Sequence, residues 1–190
     1  FKGIYLFPVE YIEGSIFQYI IFTGNFKMDN LKIVSYGAFV SSNFSGSLNL
    51  PVCVEIGNFA FMCSNFSGSL NLPVCVEIGE YAFVSSNFSG SLNLPVCVEI
   101  GNFAFMWSNF SGSLFLPVCN FIGREAFYYS NFSGSLNLPV CTYIGGYAFV
   151  NSYFTTITIG ANATLEANCI GAHSTEFIAD YTANGKLAGT

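Results

Sequence analysis

The stretch NFSGSLNLPVCVEIGNFAFMCS, beginning at Asn43, restarts almost unchanged at Asn65, Asn87, Asn109 and Asn131, a period of 22 residues. Pro51, Pro73, Pro95, Pro117 and Pro139 keep step with it, as do Gly57, Gly79, Gly101, Gly123 and Gly145. A fixed period of about 20 to 50 residues marks a solenoid, in which each unit is one coil that buries its apolar face only against its neighbours. Such chains are usually binding surfaces or spacers rather than catalysts.

The frame extends in both directions. Phe22-Thr23-Gly24-Asn25-Phe26-Lys27-Met28 matches Phe44-Ser45-Gly46-Ser47-Leu48-Asn49-Leu50, and Phe1-Lys2-Gly3 with Phe7-Pro8 and Gly14 forms an earlier coil one residue shorter. Phe154-Thr155-Thr156-Ile157-Thr158-Ile159 opens a last coil that lacks the proline and closes near Cys169-Ile170-Gly171. From Ala172 the composition turns to Ala, Thr and Gly, as expected of a segment that covers the open end of a stack. The expected organisation is one solenoid over residues 1–171 (diverged coils 1–42, regular coils 43–152, last coil 153–171) and a C-terminal cap or tail over 172–190. With no initiator Met and a first residue already inside a repeat, the chain reads as a segment of a longer protein.

Composition narrows the function classes. The chain is 52% hydrophobic and 8% charged, which excludes disorder. Its 22 Phe and 11 Tyr exceed what a small round core holds but suit a stack, where each coil adds the same ring to an internal column. A net charge of −6, with one Arg and four Lys, argues against a nucleic-acid partner, which needs a basic face. No apolar run reaches the ~18 to 20 residues that cross a bilayer, so no membrane insertion is expected of this segment.

Within one coil, Ser47-Leu48-Asn49-Leu50 alternates with the period of a half-buried strand, placing Leu48 and Leu50 inward and Ser47 and Asn49 outward. Pro51 ends that strand, because it cannot donate to a ladder. Val52-Cys53-Val54-Glu55-Ile56 alternates again, so Val54 and Ile56 are expected inward, Glu55 outward, and the direction of Cys53 stays open. Gly57 reads as a turn residue free to take positive φ, and Ala60-Phe61 as a tight corner filled by a ring. Asn43-Phe44-Ser45-Gly46 is expected to turn the chain back. Parallel strands ~4.7 to 4.9 Å apart would make about eight coils a rod roughly 35 to 40 Å long.

The recurring order FSGSLNLP, then Ile-Gly, then Ala-Phe, from Leu48 to Phe149, resembles the BspA-like (Treponema-type) leucine-rich repeat. The units here are one or two residues shorter than that family's usual coil, with a residue missing between Pro51 and Ile56 and another after Phe61. The fold expected is mainly β: a right-handed leucine-rich-repeat solenoid of about eight 21–22-residue coils with parallel strand stacks. The resemblance implies a cell-surface or secreted protein of bacteria or protozoa, adhering to host or neighbouring-cell proteins or glycans. The function expected is therefore a non-catalytic interaction module, with a structural spacer or stalk as the alternative.

Candidate binding residues are those that face outward and vary between coils. The outer strand column reads Asn49, Asn71, Asn93, Phe115, Asn137, with Ser47, Ser69, Ser91, Ser113 and Ser135 beside it. A second varied column reads Ser41, Cys63, Ser85, Trp107, Tyr129, Asn151, in which Trp107 and Tyr129 are the kind of aromatic anchors found in hot spots. Glu55, Glu77 and Glu99 form an acidic ladder, but one Glu per coil is fewer oxygen ligands than calcium requires, so no metal is expected. Cys53, Cys75, Cys97, Cys119 and Cys141 form another ladder, read as free thiols used for packing, with Cys63 and Cys169 bringing the total to seven. The five Asn-Phe-Ser copies from Asn43 to Asn131, and Asn162-Ala163-Thr164, are formal glycosylation sequons and equally good turn chemistry. His173 has no evident partner, Asp29 and Asp180 lie at opposite ends, and Arg124-Glu125 reads as a surface ion pair. Neither an enzyme nor a cofactor is expected.

Overall fold

A computed structural model describes residues 5–6, 9–21, 26–171 and 174–189. The opening segments Phe1-Lys2-Gly3 and Phe7-Pro8, the residues 22–25, and His173 lie outside the described residues. The chain forms a parallel β-solenoid of about seven turns. Its longest sheet has eight two-residue strands in sequence order: Tyr11–Ile12, Ile33–Val34, Glu55–Ile56, Glu77–Ile78, Glu99–Ile100, Phe121–Ile122, Tyr143–Ile144 and Thr164–Leu165. Each strand pairs with the same position one coil later, Glu55 with Glu77 and Ile56 with Ile78.

A second wall is built from the Leu-x-Leu segments. Leu48–Asn49 pairs with Leu70–Asn71, single bridges at Asn93 carry the ladder onward, and Asn109–Phe115, Asn131–Leu138 and Thr156–Ile159 complete it. Leu48 and Leu50 face inward and Ser47 and Asn49 outward, as the alternation predicts. The Asn43–Gly46 turn expected in every coil is not uniform. In the coils starting at Asn109 and Asn131 the same segment is extended and paired, with a register shift between Gly112 and Leu114.

The third wall is a stack of turns. Phe59, Phe61 and Cys63 donate their N–H to Glu80, Ala82 and Val84 of the next coil at 2.8, 2.7 and 2.8 Å, while Ala60, Met62 and Ser64 donate back to Gly57, Phe59 and Phe61 in their own coil. Alternate amides thus stitch coils together and tighten the turn, so no strand is needed to satisfy the backbone. This winding puts Phe59 and Cys63 at φ 60° and 56°.

Two expectations are corrected here. Val54 points outward, 41% exposed, while Cys53 is fully buried. The Cys53 amide donates to the Leu50 carbonyl at 3.3 Å, closing a turn across Pro51 that resets the alternation. Gly57 does not take positive φ; an added Cβ there would stand 2.9 Å from the Ser35 carbonyl carbon, so glycine is required by close coil-to-coil approach.

The core is a set of columns. Phe39, Phe61, Phe83, Phe105, Phe127 and Phe149 stack at 5.0 to 5.3 Å. Phe44, Phe66, Phe88, Phe110 and Phe132 form a parallel column that meets the first edge to face, as at Phe105–Phe110, 5.6 Å and 83°. Both arrangements suit the ring quadrupole. At the C-terminal end a helix, Ser174–Ala183, packs Phe177 and Ile178 against the core. Its buried Tyr181 hydroxyl donates to the Gly160 carbonyl at 2.7 Å and accepts from the Ala163 amide at 2.8 Å.

Candidate functional site

The outer asparagine column lies where the sequence puts it, on the exposed face of the Leu-x-Leu wall. Register joins Asn49 to Asn71, Asn71 to Asn93, Asn93 to Phe115 and Phe115 to Asn137. Asn71 Nδ2 donates to Asn49 Oδ1 at 2.6 Å, and Ser69 Oγ to Ser47 Oγ at 3.2 Å, so part of this face is already engaged with itself. Phe115 interrupts the amides with a ring that is 52% exposed. Beside it, Asn137 Oδ1 is buried without a hydrogen-bond partner.

Trp107 and Tyr129 are brought together on the turn wall, not on the Leu-x-Leu sheet, so they and Phe115 occupy different stretches of the coil. Both have φ 61° and are 51% and 48% exposed. Left-handed backbone is costly for residues with a Cβ, by about 1 to 2 kcal/mol. The position is set by the stacked turns, and Ser41, Cys63, Ser85 and Asn151 adopt it too. Tyr128 contacts Tyr129 at 4.6 Å with the rings tilted by 59°. Burial and the neighbouring Tyr129 push the Tyr128 hydroxyl above its ordinary pKa.

The acidic ladder is in register and exposed at Glu55, Glu77 and Glu99, then gives way to Phe121 stacked on Tyr143 at 5.0 Å. Tyr143 donates to Glu166 Oε1 at 2.7 Å and the Gly146 amide to Oε2 at 2.8 Å. These bonds hold the Glu166 carboxyl below the usual carboxylate range, and the same bond raises Tyr143. Among the described residues no three His, Cys, Asp or Glu side chains converge as metal ligands. Arg124 Nε pairs with Glu125 at 3.1 Å while its guanidinium lies 5.3 Å from the Tyr147 ring centre. Asp29 pairs with Lys27 at 2.9 Å, and Asp180 lies on the C-terminal helix.

The ladder cysteines line the core. Cys53, Cys75 and Cys97 donate to the carbonyls of Glu55, Glu77 and Glu99 at 3.3 to 3.4 Å. Burial pushes Cys53, Cys75 and Cys119 up to about 12 and Cys141 to about 11, so these thiols stay protonated and unreactive. Cys63 alone among the seven is exposed. At the sequons Asn43 and Asn65 are exposed, and Asn65 Nδ2 donates to Asn43 Oδ1 at 2.5 Å.

Sequence reasoning missed two features. Ser42, Ser64, Ser86, Ser108, Ser130 and Ser152 form a fully buried polar column, in which Ser64 and Ser86 donate to the carbonyls of Phe39 and Phe61 at 3.0 and 3.1 Å. A serine that never changes beside a freely varying neighbour was the available signal. The second is a groove of about 370 Å³ lined by Tyr128, Tyr147, Asn151, Tyr153 and Asn168. No repeat pattern announces it, because its three tyrosines hold different positions in three coils.

Parallel strands, a column core and a stitched turn wall define a repeat solenoid. The chain belongs to the BspA type leucine rich repeat region family, whose model, in 6 copies, matches residues 6–110 and 54–175. No curated protein and no solved structure matches the chain. Solenoids of this kind are protein-interaction modules, typically non-catalytic, and the family is often found at the cell surface or secreted. No helix among the described residues is long and apolar enough to cross a membrane.

Proposed function

We propose that this chain is an adhesion-like interaction module of a surface or secreted protein, contacting host or neighbouring-cell proteins or glycans through aromatic residues on its outer columns. The observation that carries the reading is the exposed pair Trp107 and Tyr129, half out of the surface on left-handed turn residues where a smaller side chain would serve the fold equally. Large rigid aromatics of this kind dominate binding energy when a partner covers them. Phe115, exposed among the amides of Asn49, Asn71, Asn93 and Asn137, is the secondary contact.

The test is a binding screen of the purified chain against immobilised matrix proteins and glycans, beside a Trp107→Ser, Tyr129→Ser double variant and a Phe115→Ser variant. Saturable binding lost in the double variant, with its urea midpoint retained, supports the module. Binding by neither protein favours the spacer reading, in which the self-bonded Asn49–Asn71 and Ser47–Ser69 ladders are the whole purpose of the surface.

A further inference from the structure

The groove beside the Tyr128–Tyr129 pair combines phenols with side-chain amides. Tyr128 and Tyr147 come from successive coils and Tyr153 from the start of the last. They stand where the regular coils carry Met or Val, then Phe, Tyr or Glu, and Asn. Tyr147, Asn151 and Asn168 project from left-handed turn residues at φ 60°, 70° and 57°. The volume of about 370 Å³ lies within the range of small-ligand sites.

Three phenols and two amides give flat apolar faces edged by groups that both donate and accept hydrogen bonds. No described residue lining the groove is charged. The charges nearby are already engaged: Arg124 with Glu125 and the Tyr147 ring, Glu166 with Tyr143 and the Gly146 amide. Among the described residues a phosphate, sulfate or carboxylate ligand would find no free cation here. A pyranose ring matches what is present, with C–H faces to lie on the phenols and hydroxyls around its edge for the amides and tyrosine oxygens.

We propose that the groove formed by Tyr128, Tyr147, Tyr153, Asn151 and Asn168 binds a neutral saccharide. This rests on the interaction-module reading and gives that module its ligand class.

The experiment is an array of neutral gluco-, galacto- and manno-oligosaccharides printed beside sialylated and sulfated ones, followed by calorimetric titration of the strongest binder. Tyr153 is 64% exposed, so Tyr153→Ala leaves the core intact. The expected result is binding of a neutral glycan, weakened ten-fold or more by Tyr153→Ala and by Asn168→Ala, and unchanged by Tyr19→Ala at the far end of the stack. Absence of neutral-glycan binding, preference for the acidic glycans, or equal binding by Tyr153→Ala would overturn the proposal. A blank glycan array together with protein binding that needs Trp107 and Tyr129 would overturn the saccharide assignment and leave the module standing.

Discussion

Glycine stands at Gly123 and at Gly112 for two different reasons, and substituting alanine at each separates them. At Gly123 an added Cβ would stand 2.5 Å from the Asn102 nitrogen and 2.6 Å from the Gly101 carbonyl carbon. Both are backbone, so relief requires the coils to part by about 1 Å to reach ordinary contact. The Gly123 amide donates to the Ile100 carbonyl at 2.8 Å, and that bond would then stretch beyond a useful length. Overpacking of about 1 to 3 kcal/mol and a buried unpaired group of about 1 to 3 kcal/mol put Gly123→Ala at about 2 to 6 kcal/mol. At Gly112, φ is +79° and nothing lies within 4 Å of the added carbon. Left-handed strain of about 1 to 2 kcal/mol, offset by the stiffer unfolded chain, leaves Gly112→Ala near 1 kcal/mol. Urea unfolding followed by the fluorescence of Trp107, the one tryptophan, reads both. The Gly123 variant should lose several times more stability. Equal losses, or the reverse order, would refute the close-approach account of the Gly57 column.

Further outcomes follow from burial. A thiol reagent added to the native protein should label one cysteine, Cys63, and all seven only after unfolding; several fast-reacting thiols in the native state would contradict the core placement of the ladder. Above about pH 9 the unfolded chain releases thiol protons that the folded chain keeps up to about 11 or 12, so stability is full below that window and falls as pH rises through it. Replacing Cys53, Cys75, Cys97, Cys119 and Cys141 by Ala should flatten this slope in urea midpoints measured from pH 7 to 11; an unchanged slope would assign it to other groups. Phe105→Ala, at a fully buried stacked ring, should cost about 3 to 5 kcal/mol. Phe115→Ser should cost far less, and similar thermal shifts for the two would show that Phe115 belongs to the core.

The repeat made the solenoid legible because stacking imposes the same demand on every coil. Leu48, Leu50, Ile56 and Phe61 reveal their direction by simple alternation or by neighbouring small residues. The alternation fails at Val54, because the Leu50–Cys53 turn shifts the phase by one, and a missing residue in a 22-residue coil leaves no mark of where the phase changes. Positive φ was legible as a need but not as a place. In the coil of Gly57 it falls on the turn-wall residues Phe59 and Cys63, whose side chains offer no hint of it, since it is the winding of that wall that demands it. Of the candidate site, the outward columns could be read from variation between copies, but not which of them adjoin. The tyrosine groove unites residues 19 and 6 positions apart along the chain, neither of them the repeat length.

The distribution of outer residues bears on whether this surface is more than packing's leftover. Inside, the columns hold almost without exception from Phe39 to Phe149. Outside, the coils between Asn43 and Ile100 repeat nearly the same polar set, relieved mainly at Glu80 and Tyr81. From Trp107 onward the departures crowd together: Phe115, Phe121, Arg124, Glu125, Tyr128, Tyr129, Tyr143 and Tyr153. Most are aromatic, and several leave rings in water, as Tyr11, Tyr19 and Tyr36 do in the opening coils. A spacer would tolerate such changes anywhere along its length. A module that grips a ligand would need such rings side by side, as they stand on the adjoining turns of Trp107 and Tyr129 and around the groove of Tyr128, Tyr147 and Tyr153.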